Sequence, residues 1–431
     1  MLLKRFSRKI GTISRGGLPA ILRTLHSLTR GFGLIISFLS ISMPLLILMR
    51  LSRPWLLIRL NPICSSRIGH FAMNTELYLC ERDAGINVPA QRYIDLTYYA
   101  DAPACNQQLD LMWRRFLTIW PGWLLEPVFF LNRFFPGGQV HEVGDNINHD
   151  RDVNNLLEET LPHLRFTAQE EAEGRSGLEK LGVPAGAKFI CLHARDSAYL
   201  ETLVNPGGDF SYHDYRDVDI DNFVLAANAL ADLGYYVIRM GKIVKAPIKS
   251  SNPKVIDYAS SELRNDFLDI YLGANCFFCI GVGSGFDSVP TIFRRPICFV
   301  NVVPIGCLHT FLKDSIAICK KHWLLPERRW LSLREIVNRG LDSCLYSTGY
   351  QEKHVEVKEN TPHEIRELTL EMVARLTDEW EVTPEDDSLQ RRFWEIYPVK
   401  RRRIDSGSPM HGKVNLRYGS KFLRDNQAWL K

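Results

Sequence analysis

Between residues 188 and 300 short apolar runs alternate with segments of helical period, joined by only a few residues. Lys188-Phe-Ile-Cys-Leu-His193 follows the turn Pro184-Ala-Gly186 and reads as a strand. Asp221 is placed to cap a helix from Asn222 to Leu233, Gly234 to end it, and Tyr235-Tyr-Val-Ile-Arg239 to form the next strand. Val255-Ile256, a helix from Arg264 to Ala274, Cys276 to Ile280, a helix near Ser288 to Arg294 and Pro296 to Val300 continue the alternation. A chain so patterned is confined to α/β architecture, with a parallel sheet covered on both faces.

The 431 residues are enough for more than one domain. Trp55 to Leu60 reads as a strand, Phe71 to Leu79 as a helix, Tyr93 to Tyr99 as a strand and Asn106 to Arg115 as a helix. Residues 121–122, 136–138 and 144–149 are loop-like, and Ser332 to Glu335 and Thr361 to Glu364 are capping boxes that open helices.

Charge is unevenly spread. Of the 53 Lys and Arg, eleven precede the first acidic residue, Glu76, and the remainder of the chain carries more acid than base. Basicity confined to one end points to an anionic surface such as a membrane and away from nucleic acid. Residues 31–49 carry no charge, which leaves a membrane anchor, a buried core helix or part of a targeting peptide as readings. The ten cysteines are scattered through mostly apolar runs, as buried thiols are in a reducing compartment. Cys276-Phe-Phe-Cys279 lies in a strand-like run with no second pair to complete a zinc site. Asp150-Arg-Asp152 and Asp217-Val-Asp219 have the form of metal-binding triplets, but neither directly follows a buried strand, and no metal is assigned.

Ligands of an open parallel sheet bind at the carboxyl ends of its strands. Four polar loops leave those ends: His193-Ala-Arg195-Asp196, Arg239-Met-Gly241-Lys242, Asp257-Tyr258, and Gly281-Val-Gly283-Ser284-Gly285. Guanidinium groups and helix amino termini suit a phosphate or diphosphate. The glycine turn by itself is more often structural; its agreement with three other loops is what suggests a ligand site. Arg67-Ile-Gly-His70 follows the first strand, where His70 is either a packing or capping residue or a general base.

His193-Ala-Arg-Asp-Ser-Ala-Tyr199, Tyr215-Arg216, Gly234 to Gly241, Val255 to Ala259, Arg264 to Asp269, Gly283-Ser-Gly285 and Arg295 to Asn301 occur in order. The series resembles a family of bacterial glycosyltransferases found with surface-polysaccharide genes, and more distantly the donor half of heptosyltransferases. The resemblance implies a GT-B arrangement: two Rossmann-like domains facing a cleft, preceded by a basic, apolar segment at 1–50. The expected divisions are an acceptor domain at 51–180, a donor domain at 181–345 and a helical extension at 346–431. It implies donor contacts at Arg195, Arg239, Gly283, Ser284 and Gly285, beside the loop residues His193, Asp196, Gly241, Lys242, Asp257, Tyr258 and Gly281. His70 and Arg195 are the catalytic candidates. The histidine that follows the Ser-Gly turn in heptosyltransferases is replaced by Phe286-Asp-Ser-Val-Pro290. The implied activity is metal-independent transfer from a nucleotide-sugar donor, with no further cofactor, to a glycan or lipid-linked acceptor at the cytoplasmic face of a membrane. A sugar-nucleotide epimerase and a non-catalytic sugar-binding or assembly protein share the architecture.

Overall fold

A computed structural model describes residues 40–100, 103–143, 150–199, 201–202, 211–403 and 407–431. Most of the 1–50 segment and the loop expected at 144–149 lie outside these residues. Among the described residues the chain gathers into two compact units. The first takes in the chain up to Ile63, with Asn87–Asp101 and Leu117–Gly144; the second takes in Cys64–Ile86, Ala102–Phe116 and Asp145–Lys431.

The first unit has a three-stranded parallel sheet, β1 (Leu57–Ile63), β2 (Tyr93–Tyr99) and β3 (Ile119–Trp120), in that order. Two helices share its core. One spans residues 40–51 and contributes Leu46 and Met49; the other, Gly122–Asn132, contributes Leu125, Val128 and Phe129 against Leu60 and Tyr98. The uncharged segment at 31–49 therefore has at least its second half in a helix with one face in a core. No helix of the described residues is long and apolar enough to cross a membrane. Arg59 lies inside this unit because its guanidinium meets both oxygens of Asp95 at 2.7 Å, so the buried charge is paired.

The second unit is built on a seven-stranded parallel sheet. Its strands are β4 (Phe189–His193), β5 (Tyr236–Met240), β6 (Val255–Ile256), β7 (Cys279–Gly281), β8 (Ile297–Val302) and β9 (Ile316–Cys319), with a last strand from the chain end. β10 (Lys321–Leu324), β11 (Arg329–Trp330) and β12 (Val355–Lys358) form a separate small antiparallel sheet in the order β11-β10-β12. β13 (Arg417–Tyr418) completes the large sheet beside β9, giving the order β13-β9-β8-β7-β4-β5-β6. Every residue of β8 is buried, as a strand covered on both faces requires. The sheet runs outward from β4 in both directions, so β4 and β7 are neighbours across a topological switch point.

The helices expected from the sequence are present at Ile68–Asp83, Gln107–Trp113, Val224–Asp232, Asp266–Asn275 and Ser288–Ile292. Asp221 is not the cap expected of it: Asp219 accepts from the Asp221 amide and opens a short 3-10 turn ahead of Val224. Both expected capping boxes form, at Ser332–Glu335 and Thr361–Glu364. The Ile68–Asp83 and Gln107–Trp113 helices, although they precede residue 181 in sequence, belong by their contacts to the second unit. Buried residues occupy every position from Phe71 to Glu81, and Arg294 reaches Glu76 of this helix at 2.7 Å. Asn106 donates to the Asp266 carbonyl at 2.9 Å, and the Gln107 amide donates to its carboxylate at 2.8 Å. The residues after 345 are likewise part of the second unit, where they supply β13 and the Pro362–Leu376 helix packed on Val224–Asp232. Cys276 and Cys279 are buried thiols.

Candidate functional site

Two strand ends meet at the switch point. β4 ends at His193 and β7 at Gly281. Ser284, in the turn after β7, brings its hydroxyl 2.9 Å from His193 Nδ1, and the imidazole stacks on Phe286 with ring centroids 5.3 Å apart. Burial pushes the His193 imidazole down to about 3, and the Arg239 and Arg195 charges act the same way. At neutral pH His193 is an uncharged hydrogen-bonding partner that fixes the turn.

The form of that turn has a physical cause. Asp287 is fully buried beneath it and accepts from the Ser284 amide at 2.8 Å. A Cβ at Gly281 would stand 2.5 Å from Asp287 Oδ1, so the glycine makes room for the carboxylate. Burial pushes the Asp287 carboxyl up to about 7, against the opposing pull of the turn's amides. On the outer side, Gly285 backs directly onto Gly69, where an added Cβ would lie 2.9 Å from the Gly285 Cα. This contact brings the amino terminus of the Ile68–Asp83 helix beside the turn. Arg67, the residue ahead of that helix, is extended and gives it no side-chain cap, so its first amides keep their capacity for an anion.

Around these elements lies a cavity of about 360 Å³, lined wholly by residues of the second unit. Its cations are Arg67, Arg195, Arg216 and Lys242, and its carboxylates are Asp150, Asp196 and Asp269. Arg195 is ion-paired with Asp217, and Arg216 donates to the Gly283 carbonyl at 2.7 Å. Lys242 donates to the Cys105 carbonyl at 3.0 Å. Arg67 makes no ion pair among the described residues. His70 lines the cavity from the first turn of its helix, with Asn74 Nδ2 at 3.5 Å from its Nδ1. Burial by itself would raise the Asp150 carboxyl, but Arg151, His309 and His70 hold it well below the usual range, so it is ionised at neutral pH.

Of the residues singled out from the sequence, the fold brings His70, His193, Arg195, Asp196, Gly241, Lys242, Gly283, Ser284 and Gly285 to this cavity. Asp196 is engaged with the loops, accepting from the Ala198 and Lys245 amides at 2.9 Å each. Arg239, Asp257, Tyr258 and Gly281 do not line it. Arg239 is only 1% exposed, donates to the Ala246 carbonyl at 2.6 Å and pairs with Asp257 at 3.3 Å. Tyr258 donates to Asp269 at 2.9 Å and stands behind that carboxylate. Arg67, Asp150, Arg216, Phe286 and His309 line the cavity without having been chosen. Arg67 and Arg216 carried a signal, since Arg67 opens the loop that holds His70 and Arg216 stands inside the ordered series. Asp150 stood in a triplet to which no metal was assigned, and His309 carried no signal, because loops 159 residues apart in sequence bring the two together.

A second cavity, of about 480 Å³, shares Asp150, Arg216, Gly283 and His309 with the first. Arg151, Arg401, Phe299, Val302 and Met410 are among its lining residues, which mix guanidinium groups with apolar surface. Of the two triplets with metal-binding form, the first places Asp150 at both cavities, and their other carboxylates meet protein groups. Asp152 caps the amides of Leu156 and Leu157 at 2.9 and 2.8 Å, and Asp217 pairs with Arg195. One other group, Glu76, Cys80 and His163, brings three ligand-type atoms within 4.8 Å of one another. It already holds a cation, with Arg294 at 2.7 Å from Glu76. Burial opposes charge on His163, yet its contacts with Cys80, Glu76 and Asp83 raise it to about 10, so a metal ion there would meet two positive groups.

Two solved structures are similar to this chain. One is described as the glycosyl transferase family 9 from Veillonella parvula DSM 2008. It is 10% identical with a TM-score of 0.36, over 61% of this chain and 85% of its own. The other is the E. coli ADP-heptose lps heptosyltransferase II, 13% identical with a TM-score of 0.37, over 75% of this chain and 99% of its own. Both descriptions fall in the classes that the motif series resembles. No family model and no curated protein matches the chain.

Proposed function

We propose that this chain is a glycosyltransferase of GT-B type that moves a sugar from a nucleotide-sugar donor to a glycan or lipid-linked acceptor at an anionic membrane surface, in surface-polysaccharide synthesis. The observation that carries the reading is the site at the β4–β7 switch point. There the Ser284–His193 bond fixes a glycine turn opposite an uncapped helix amino terminus, among four cations. Such a site favours a compact dianion, and the adjoining cavity, apolar and guanidinium-lined, has room for a nucleoside. The donor's diphosphate is assigned to the 283–285 turn and the amides of Ile68 to His70, between Arg67, Arg195 and Arg216.

In transfer, the acceptor hydroxyl attacks the anomeric carbon as the bond to the diphosphate oxygen breaks. The departing negative charge meets arginines and fixed amides, which can do this work without a metal. His70 takes the hydroxyl proton, and the ionised Asp150 stabilises the imidazolium that results. A thermal-shift screen against a panel of nucleotide sugars tests the donor assignment, since bound donor raises the midpoint by mass action. Arg195→Ala is expected to weaken the shift and slow transfer; unchanged values for both would falsify the assignment. Release of free nucleotide without sugar transfer would instead indicate epimerase chemistry.

A further inference from the structure

Among the described residues, the two helices of the first unit are apolar on both sides. The Gly122–Asn132 helix turns Leu125, Val128 and Phe129 into the core, yet its opposite side exposes Trp123 (61%) and Phe130 (53%). Phe134, in the turn after it, is 82% exposed. The spacing 123, 130, 134 holds these rings to one face. The helix at 40–51 repeats the arrangement, with Leu46 and Met49 inside and Leu48 and Leu51 outside, the former 63% exposed. The two helices are neighbours: Arg50 donates to Asn132 Oδ1 at 3.0 Å and lies 5.8 Å from the centre of the Phe135 ring. A helix apolar all round belongs in a core or against a second apolar phase, and among the described residues none covers these outward faces.

We propose that this two-helix face is a docking surface for an anionic lipid leaflet. Charge selects that occupant. Arg50 and the exposed Arg53 stand beside the apolar face, and no acidic residue occurs in the first 75 residues, which carry eleven cations. The one charge on the Gly122–Asn132 helix is the half-buried Glu126. A second copy of the chain on this face would bring like charges together, whereas anionic headgroups would offset them. Large aromatic side chains at a wetted apolar face suit the headgroup boundary, and the helices lie along a membrane rather than through it. None of these residues lines either cavity, so the assignment does not depend on sugar transfer, and its test reads binding alone.

Full-length protein is sedimented with vesicles of phosphatidylcholine, alone and mixed with phosphatidylglycerol, at low and at raised salt. The wild-type chain is expected on the mixed vesicles at both salts. The Trp123→Gln/Phe130→Gln/Phe134→Gln variant is expected to lose roughly tenfold or more of that partition at raised salt, where basic segments alone are screened. An unchanged thermal midpoint shows that the variant folds. Leu48→Gln/Leu51→Gln, on the other helix, gives an independent reading of the same face. Undiminished binding by both variants overturns the proposal, as does equal wild-type binding to phosphatidylcholine alone. A wild-type dimer that these substitutions split, with no vesicle binding, overturns it in favour of a second copy.

Discussion

Asp287 shows how far one side chain shapes the site. Its carboxyl is raised from 3.8 to about 7 by burial, so the folded state holds the proton more tightly than the unfolded chain does. The resulting stability is fully present below about pH 4 and is lost as pH rises through about 7. Asp287→Asn keeps the shape and removes the titration. The stability of wild type relative to this variant should therefore fall across that window, by an amount on the order of a few kcal/mol. Thermal midpoints of both proteins over a pH series measure it, and parallel curves would contradict it. His70→Ala should lower kcat by about 10²–10⁴ while the donor-induced thermal shift persists, because the imidazole is assigned to the acceptor proton and not to the diphosphate. A loss of donor binding with unchanged kcat would reverse that assignment. His70 and Arg195 were legible because each stands in a motif at a strand end. Asp287 was passed over because its role comes from the space beneath Gly281, which no spacing along the chain reveals.

At the scale of elements, the site depends on two backbones in close approach. Gly69→Ala would place a methyl group 2.9 Å from the Gly285 Cα, which is backbone and cannot rotate away. We expect a loss of about 1–3 kcal/mol in stability together with a weaker donor-induced shift, measured by denaturant unfolding and thermal shift. Unaltered donor binding would show that the helix amino terminus takes no part. The strands β4 to β8 of the second unit and the helices among them were legible from apolar runs, caps and terminating glycines, whereas β9 to β13 were not. Arg239 was harder to place. The sequence puts it at the last position of a strand, where a polar loop begins, but it lies within β5 and is engaged by Asp257 and the Ala246 carbonyl, away from the cavity. A sequence places a residue at a strand end to within a residue or two, and one residue reverses the side it faces.

For the molecule as a whole, the last residues are structural. Tyr418 is buried in β13 and accepts from the Cys319 amide at 2.9 Å, and Leu423 and Leu430 are buried nearby. Removing residues 413–431 should expose the edge of β9 and cost several kcal/mol, seen as a lower unfolding midpoint or insolubility. An unchanged midpoint would mean that the sheet is complete without them. The sequence by itself determined the α/β class, the parallel sheet, the elements between 188 and 302, and the loops from which the site is built. These rest on local periodicity and turn chemistry, which neighbouring residues decide. Only the tertiary structure decided that the helices at Ile68–Asp83 and Gln107–Trp113 belong with the later sheet, and that β13 closes it. It also decided that Asp150, Arg216 and His309 stand with His70 around one cavity. Such contacts join residues far apart in the chain, and packing selects them, so no local pattern records them.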